Sequence, residues 1–203
     1  MITKTRSIQT YYKGYYFRSR LEARYAVFLD YLGIRWKYET EGYIIEKNEF
    51  SETFGHVGEA YLPDFFLPDL HIYLEIKPEG PTGHSNFSED VNKALAFGAY
   101  VCQGLPEEND INPAGWIERG FDNPYADKRY SLLVPFDHGY DWCYCHSQKK
   151  IGIEYEGRSD RLIPRDQKKD DRGHNSDALI LRQAWRAART ARFEHGQRGM
   201  LWK

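Results

Sequence analysis

Cysteine is scarce in this chain of 203 residues, and long apolar runs are absent from it. Its three cysteines are an odd number, which argues against the disulfide framework of a small secreted protein and agrees with a reducing compartment. No run approaches the roughly 20 apolar residues that a membrane-spanning helix needs. The N-terminal segment MITKTRSIQTYY also lacks a signal-peptide core. We therefore expect a cytoplasmic protein with no membrane partner.

Several signatures of common protein classes are missing as well. The sequence has no internal repeat, no P-loop, no glycine-rich dinucleotide fingerprint and no heptad array. What remains is a soluble globular balance, with 41% hydrophobic and 29% charged residues. The length suits one domain of ordinary size with a smaller appendage.

Two neighbouring apolar runs carry charges that a sheet core does not normally contain. They lie in residues 61–78, YLPDFFLPDLHIYLEIKP, where Asp64 follows a proline in the first run and Glu75 and Lys77 stand in the second. Both runs are strand-like. Residues two apart in a strand face the same way, so we expect Glu75 and Lys77 to project together. Charges on one face of a core strand indicate a functional site.

A divalent cation would explain this arrangement. Asp64 and Glu75 on adjacent strands would repel each other, and burial would raise the pKa of at least one of them unless a cation lay between them. Mg²⁺ or Mn²⁺ accepts such a site and takes its remaining ligands from water and from substrate phosphates. Lys77 would then orient or deprotonate the attacking water. The alternative is a β-hairpin in which Pro-Asp forms a turn and Glu75 and Lys77 are a solvated pair.

An amphipathic helix is predicted upstream, over residues 18–32. Gly33 follows at the position where such a helix ends, and Ser19 with Glu22 forms a capping-box signature at its start. Glu22 has a second interpretation, because one turn into the helix it could reach the same cation as a third carboxylate. The apolar stripe at helical spacing consists of Leu21, Tyr25, Phe28, Leu29 and Leu32.

With these elements in order, the chain resembles the PD-(D/E)xK nuclease superfamily, including members from phages and other mobile elements. The resemblance covers about residues 15–105 and is carried by FRSRLEARYAVFLDYLGI, YLPDFF and YLEIKP. It implies a mixed sheet of about four strands with a helix packed on it and a second helix after the Glu-x-Lys strand. It also implies catalytic roles for four residues, which are Asp64, Glu75, Lys77 and Glu22. Asp64, Glu75, the Ile76 carbonyl and Glu22 would be the metal ligands.

The segment after this motif fits the same plan. Residues 87–97 predict a helix with Val91, Ala94, Leu95 and Phe97 inward, and residues 100–105 predict the next strand. Further on, residues 130–136 and 150–155 are strand-like on either side of DWCYCH, which predicts a plain β-hairpin with buried cysteines. The alternative for this hairpin is a structural Zn²⁺ site, and its ligands would be Cys143, Cys145 and His146.

A basic helix is predicted over residues 176–195, with Ser176 as its N-cap. Leu181, Ala184, Trp185 and Ala188 form its apolar stripe. Arg182, Arg186 and Arg189 form one basic face, which either tracks nucleic-acid phosphates or is simply solvated. The net charge of −2 is unevenly distributed along the chain. Residues 1–145 carry −8, and residues 146–203, which include this helix, carry +6.

We therefore expect an α/β fold with a mixed central sheet flanked by helices, a restriction-endonuclease-like core. Residues 1–105 would form this core, and residues 106–203 a C-terminal extension of loop, β-hairpin and basic helix packed on the same domain. The expected activity is metal-dependent hydrolysis of phosphodiester bonds, by a DNA endonuclease rather than an RNA enzyme. Arg18 and Arg20 would bind the flanking phosphate. The alternative function is a catalytically silent nucleic-acid-binding or assembly subunit, and a dimer is compatible with either.

Overall fold

The computed structural model describes residues 7–78, 89–104, 116–119, 140–145, 150–155, 174–175 and 179–193. The helices of this part are α1 Arg20–Tyr31, α2 Glu49–Phe54, α3 Glu89–Phe97 and α4 Leu179–Thr190. Its strands are β1 Thr10–Tyr12, β2 Tyr15–Phe17, β3 Lys37–Tyr38, β4 Tyr43–Ile44, β5 Ala60–Tyr61, β6 Phe65–Leu67, β7 Ile72–Lys77, β8 Tyr100–Gln103, β9 Trp116–Arg119, β10 Tyr140–Cys145, β11 Lys150–Tyr155 and β12 His174–Asn175.

A mixed sheet forms the centre of the molecule. Its strand order is β11-β10-β9-β8-β7-β6-β3, and β12 pairs with β10. Only the β7–β8 pair is parallel among these described strands, and α3 connects the two, because parallel neighbours need a crossover connection. The predicted α/β class with a mixed sheet flanked by helices is confirmed. The strands of the predicted extension continue the same sheet.

Two hydrophobic clusters cover the sheet, one on each face. Helices α1 and α4 pack with Leu74 and Ile76 of β7 on one face, where the rings of Phe28 and Trp185 stack with centroids 3.7 Å apart. On the other face, α2 and α3 pack with residues that include Tyr73. The side chains of β7 alternate between the faces as the sequence predicts. No helix in the described part is long and apolar enough to span a bilayer.

The first helix starts and ends close to its predicted limits of residues 18 and 32. Ser19 is its N-cap, and its hydroxyl accepts the amide of Glu22 at 3.1 Å. Leu32 is the C-cap, and Gly33 follows with φ +69°, a left-handed conformation that glycine adopts without steric cost. The predicted capping box is only half formed, because the Glu22 carboxylate accepts the amide of Arg18, one residue before the N-cap, instead of the amide of Ser19.

The Pro-Asp run departs from its prediction as a single strand. It is divided into β5, which ends at Tyr61, and β6, which begins at Phe65. β5 pairs with β4 in a separate two-stranded sheet, and the chain joins the central sheet only with β6. Pro63, which has no amide hydrogen to donate to a ladder, lies between the two strands. Asp64 therefore lies at the point where the chain enters the central sheet.

The remaining predicted elements, apart from the C-terminal hairpin, agree with the structure where it describes them. Helix α4 buries all four residues of its predicted apolar stripe. Strand β11 matches the predicted run 150–155, but its antiparallel partner is β10, which contains DWCYC, the segment predicted to lie between the two strand-like runs. Helix α3 buries Val91, Ala94 and Leu95, while Phe97 is only partly buried. The predicted strand over residues 130–136, the N-cap Ser176 and the zinc candidate His146 lie outside the described residues.

Candidate active site

The two motif carboxylates lie side by side, Glu75 within β7 and Asp64 immediately before the neighbouring strand β6. In the antiparallel pair of β6 and β7, Phe65 is opposite Leu74, so Asp64, one residue earlier, is opposite Glu75. The amide of Ile76 donates to Asp64 Oδ2 at 2.7 Å. Both carboxylates are buried. The structure thus brings Asp64 and Glu75 together, and it places the amide of the predicted ligand Ile76 beside them.

Glu22 is the third buried carboxylate of this region. It lies in the first turn of α1, where its Oε2 accepts the Tyr38 hydroxyl at 2.5 Å and the Arg18 amide at 3.1 Å. Tyr38 belongs to β3 and is opposite Phe65 of β6, the residue after Asp64. A short path through β3 therefore ties the start of α1 to the Asp64 end of the sheet.

Glu75 is held by groups on either side of it. Its Oε2 accepts the Tyr61 hydroxyl at 2.6 Å, and its Oε1 lies 2.7 Å from Lys77 Nζ. Glu75 and Lys77 lie on the same face of β7, as predicted. The Lys77 side chain is 22% exposed, so its ammonium stands between the buried carboxylate and solvent.

Arg18 is the predicted phosphate ligand that the structure joins to Asp64. Its Nη2 lies 2.6 Å from Asp64 Oδ1, and its Nε lies 2.5 Å from Glu39 Oε1. The side chain remains 56% exposed, so part of the guanidinium faces solvent. Arg20, the other predicted phosphate ligand, is the first residue of α1. The pKa of Arg24, one turn further on, is lowered by burial of Arg24 and then by the charge of Arg20.

Crowding of negative charge shapes the electrostatics of the site. Burial raises the pKa of Asp64 to about 8, and the charges of Glu75 and Glu22 act in the same direction. The Ile76 amide and the Arg18 guanidinium oppose this rise without cancelling it. Burial, followed by the charge of Glu75, also raises the pKa of Tyr61 well above its usual value, so this phenol remains a hydrogen-bond donor.

The donor atoms of this cluster match a hard divalent cation. Glu22, Asp64 and Glu75 supply only carboxylate oxygens, which Mg²⁺ and Mn²⁺ prefer. As the side chains stand in the described part, no group of three or more histidine, cysteine, aspartate or glutamate residues is arranged to hold a metal ion. Arg18 and Lys77 provide the positive charge beside Asp64 and Glu75. The residues therefore fit a divalent metal ion chemically. For the metal to bind, Arg18 and Lys77 would have to release the carboxylate oxygens of Asp64 and Glu75 that they now contact.

Three residues of the site were missed by the sequence analysis. Tyr38, Glu39 and Tyr61 all contact the motif residues through side chains, and Glu39 also donates its amide to the Asp64 carbonyl at 3.0 Å. Tyr61 stands among the apolar residues of the Pro-Asp run, a pattern that indicates a core position and not a hydrogen bond to Glu75. Glu39 had no signal, because its position depends on the pairing of β3 with β6.

The C-terminal candidates lie elsewhere in the fold. Arg182 and Arg186 are exposed and Arg189 is partly buried on α4, while the opposite side of that helix packs through Trp185 on α1. Their contact with nucleic acid stays a prediction. Cys143 and Cys145 stand two apart in β10, and their zinc site also stays a prediction.

Comparison of the chain with protein-family models, with curated proteins and with solved structures found no match. The chemistry of the site is therefore inferred from its own groups. These are three buried carboxylates, a lysine at the edge and an arginine that is half-exposed.

The raised pKa of Asp64 predicts how stability depends on pH in the absence of metal. The folded-state pKa of about 8 lies above the unfolded value, so the stabilising protonated form is present at low pH and lost as pH rises toward 8. Asp64→Asn removes this titration. We expect wild type to lose unfolding free energy relative to the variant between pH 5 and pH 8.5. The loss is about 1.4 kcal/mol for each pH unit over which the folded carboxyl keeps a proton that the unfolded chain has lost.

Chemical denaturation in EDTA at the two pH values measures this difference. Asp69→Asn is the matched control, because Asp69 is exposed and its pKa is lowered by hydrogen bonding to Arg35. Asp69→Asn retains Asp64, so the difference in unfolding free energy between wild type and this control should be the same at both pH values. A gap between wild type and Asp64→Asn that is equal at both pH values would show that Asp64 does not titrate abnormally.

Proposed function

We propose that this protein is a divalent-metal-dependent nuclease of the PD-(D/E)xK type that hydrolyses phosphodiester bonds, and that its substrate is DNA. One observation carries the proposal. Buried Asp64, immediately before β6, lies beside Glu75 of the adjacent strand β7. Lys77 stands at the solvent edge, and Glu22 of α1 is close enough for its charge to raise the pKa of Asp64. A protein gains no stability from crowding three buried carboxylates, so a role in binding a cation accounts for them.

Glu22, Asp64 and Glu75 would hold the metal, with the Ile76 carbonyl as a further predicted ligand. When bound, the cation would supply Lewis-acid stabilisation of the phosphate and lower the pKa of a water molecule. The chain itself fixes the carboxylates before the cation arrives. Tyr61 orients Glu75, and the Ile76 amide orients Asp64.

Lys77 and Arg18 would act on the phosphodiester. The Lys77 ammonium is anchored on Glu75 and partly exposed, so it can approach a phosphate oxygen and help to orient the attacking water. Arg18 has a half-exposed guanidinium, whose planar set of donors suits a phosphate group. The backbone of Arg18 is fixed by Glu22 and Tyr38, which limits where its side chain can reach.

A substrate panel tests the proposal. Purified protein is incubated with linear, circular, nicked and branched DNA and with RNA, in Mg²⁺, Mn²⁺ or EDTA. We expect cleavage of DNA, including closed circles, in either metal and none in EDTA. Binding without cleavage of any substrate in either metal would instead indicate a silent binding subunit. Cleavage of RNA alone would overturn the choice of DNA.

A further inference from the structure

Glu39 has a backbone conformation that glutamate rarely adopts. Its φ is +43°, in the left-handed region, immediately after β3 ends at Tyr38. Its amide nevertheless donates to the Asp64 carbonyl at 3.0 Å, so the residue is fixed against the Pro-Asp segment. Left-handed backbone at a residue with a Cβ is disfavoured and persists where surrounding contacts hold it. Such a conformation next to a candidate site indicates a positional requirement.

The Glu39 carboxylate shares one guanidinium with Asp64. Arg18 Nε lies 2.5 Å from Glu39 Oε1, while Nη2 of the same group lies 2.6 Å from Asp64 Oδ1. The two acids differ in exposure, since the Glu39 side chain is 23% exposed and that of Asp64 only 3%. The guanidinium therefore bridges a buried acid and a more exposed one.

We propose that Glu39 is a positioning residue that retains Arg18 when a divalent cation binds Asp64. The inference rests on the proposed nuclease function. A guanidinium and a divalent cation repel each other, and a cation held by Asp64 Oδ1 would compete with Arg18 for that oxygen, so Arg18 would have to leave it. Glu39 offers it a second carboxylate close by. Arg18 then stays at the edge of the site, with donors available to a phosphate.

A double-mutant cycle on metal affinity tests this role without nucleic acid. Mn²⁺ binding is measured by calorimetry for wild type, Glu39→Gln, Arg18→Met and the double variant. Without the Glu39 charge, Arg18 holds Asp64 more strongly, so Glu39→Gln should weaken Mn²⁺ binding about five- to tenfold. In the Arg18→Met background no competitor remains, and the same change should alter affinity less than about twofold.

Two further variants sharpen the cycle. Arg18→Lys keeps the charge but not the fork that spans two carboxylates, so it should weaken Mn²⁺ binding as Glu39→Gln does. Glu41→Gln is the matched control, because its carboxylate contacts Tyr43 and should leave affinity unchanged. Thermal unfolding of each variant identifies any that fails to fold, and Arg18→Lys still tests the proposal if Glu39→Gln is one of them.

The outcomes separate this inference from the function on which it rests. Equal effects of Glu39→Gln with and without Arg18 would overturn the retaining role and leave Glu39 as a charge that acts on the cation independently of Arg18. A loss of more than about 100-fold in both backgrounds would also overturn it and make Glu39 a direct ligand. Failure of wild type to bind Mn²⁺ would overturn the nuclease proposal as well, whereas binding without coupling would overturn the inference alone.

Discussion

Asp64→Asn is expected to reduce Mg²⁺-dependent cleavage by at least about 10³-fold, because it removes a charged ligand from the metal site. Asparagine has the shape of aspartate and can still accept the Ile76 amide, which lies 2.7 Å from Asp64 Oδ2. The fold should therefore persist while the site loses one of its three carboxylates. Single-turnover cleavage of the best substrate in the panel, at saturating Mg²⁺, measures the loss.

The control for this experiment lies on the same chain segment. Asp69 is an exposed aspartate five residues after Asp64, and it is paired with Arg35. The Asp69→Asn variant should therefore cleave like wild type. Mn²⁺ affinity should fall for Asp64→Asn and not for the control. Full cleavage by a folded Asp64→Asn protein would show that Asp64 has no catalytic role, and the proposed site would then have to be abandoned.

Local patterns in the sequence were sufficient to place much of this fold. Helices α1 and α4 follow from apolar spacing, and the buried Trp185 lies on the predicted stripe. Glu75 and Lys77 share a face of β7 because strand residues alternate. These features depend on residues close together in the chain, which is why sequence alone predicts them.

Features that depend on pairing between distant segments were not predictable in this way. Glu39 reaches the site because β3 pairs with β6, and because its φ of +43° places it against Asp64. No local pattern specifies either fact, since left-handed backbone is expected at glycine rather than at glutamate. Tyr61 reaches Glu75 from β5, which pairs with β4 in a separate two-stranded sheet.

Glu22 takes part in the start of α1 differently from the predicted capping box. Its amide is capped by the Ser19 hydroxyl, while its carboxylate is shared by the Arg18 amide and the Tyr38 hydroxyl. The backbone of Glu22 thus helps to start the helix, and its side chain is held at the site. The helix start therefore fixes the third carboxylate relative to the sheet.

Lys77→Met is expected to lower the rate constant for cleavage by about 10²- to 10³-fold, because the phosphate would lose a positioned positive charge. Metal affinity should behave differently. The Lys77 ammonium holds Glu75 Oε1 at 2.7 Å, so its removal leaves that oxygen more available to a cation. Mn²⁺ binding should therefore stay unchanged or become tighter while single-turnover cleavage falls, which a merely structural role for Lys77 would not produce.

Lys93→Met is the matched control for this split between binding and catalysis. Lys93 lies on α3 and pairs with Glu59 at 2.7 Å, so its loss should leave both cleavage and Mn²⁺ affinity close to wild type. Lys77→Arg adds a second comparison, since it retains the charge but not the shape of the ammonium, and should recover part of the rate. If Lys77→Met cleaves at the wild-type rate while folded, the lysine serves only as the ion-pair partner of Glu75, and another group must activate the water.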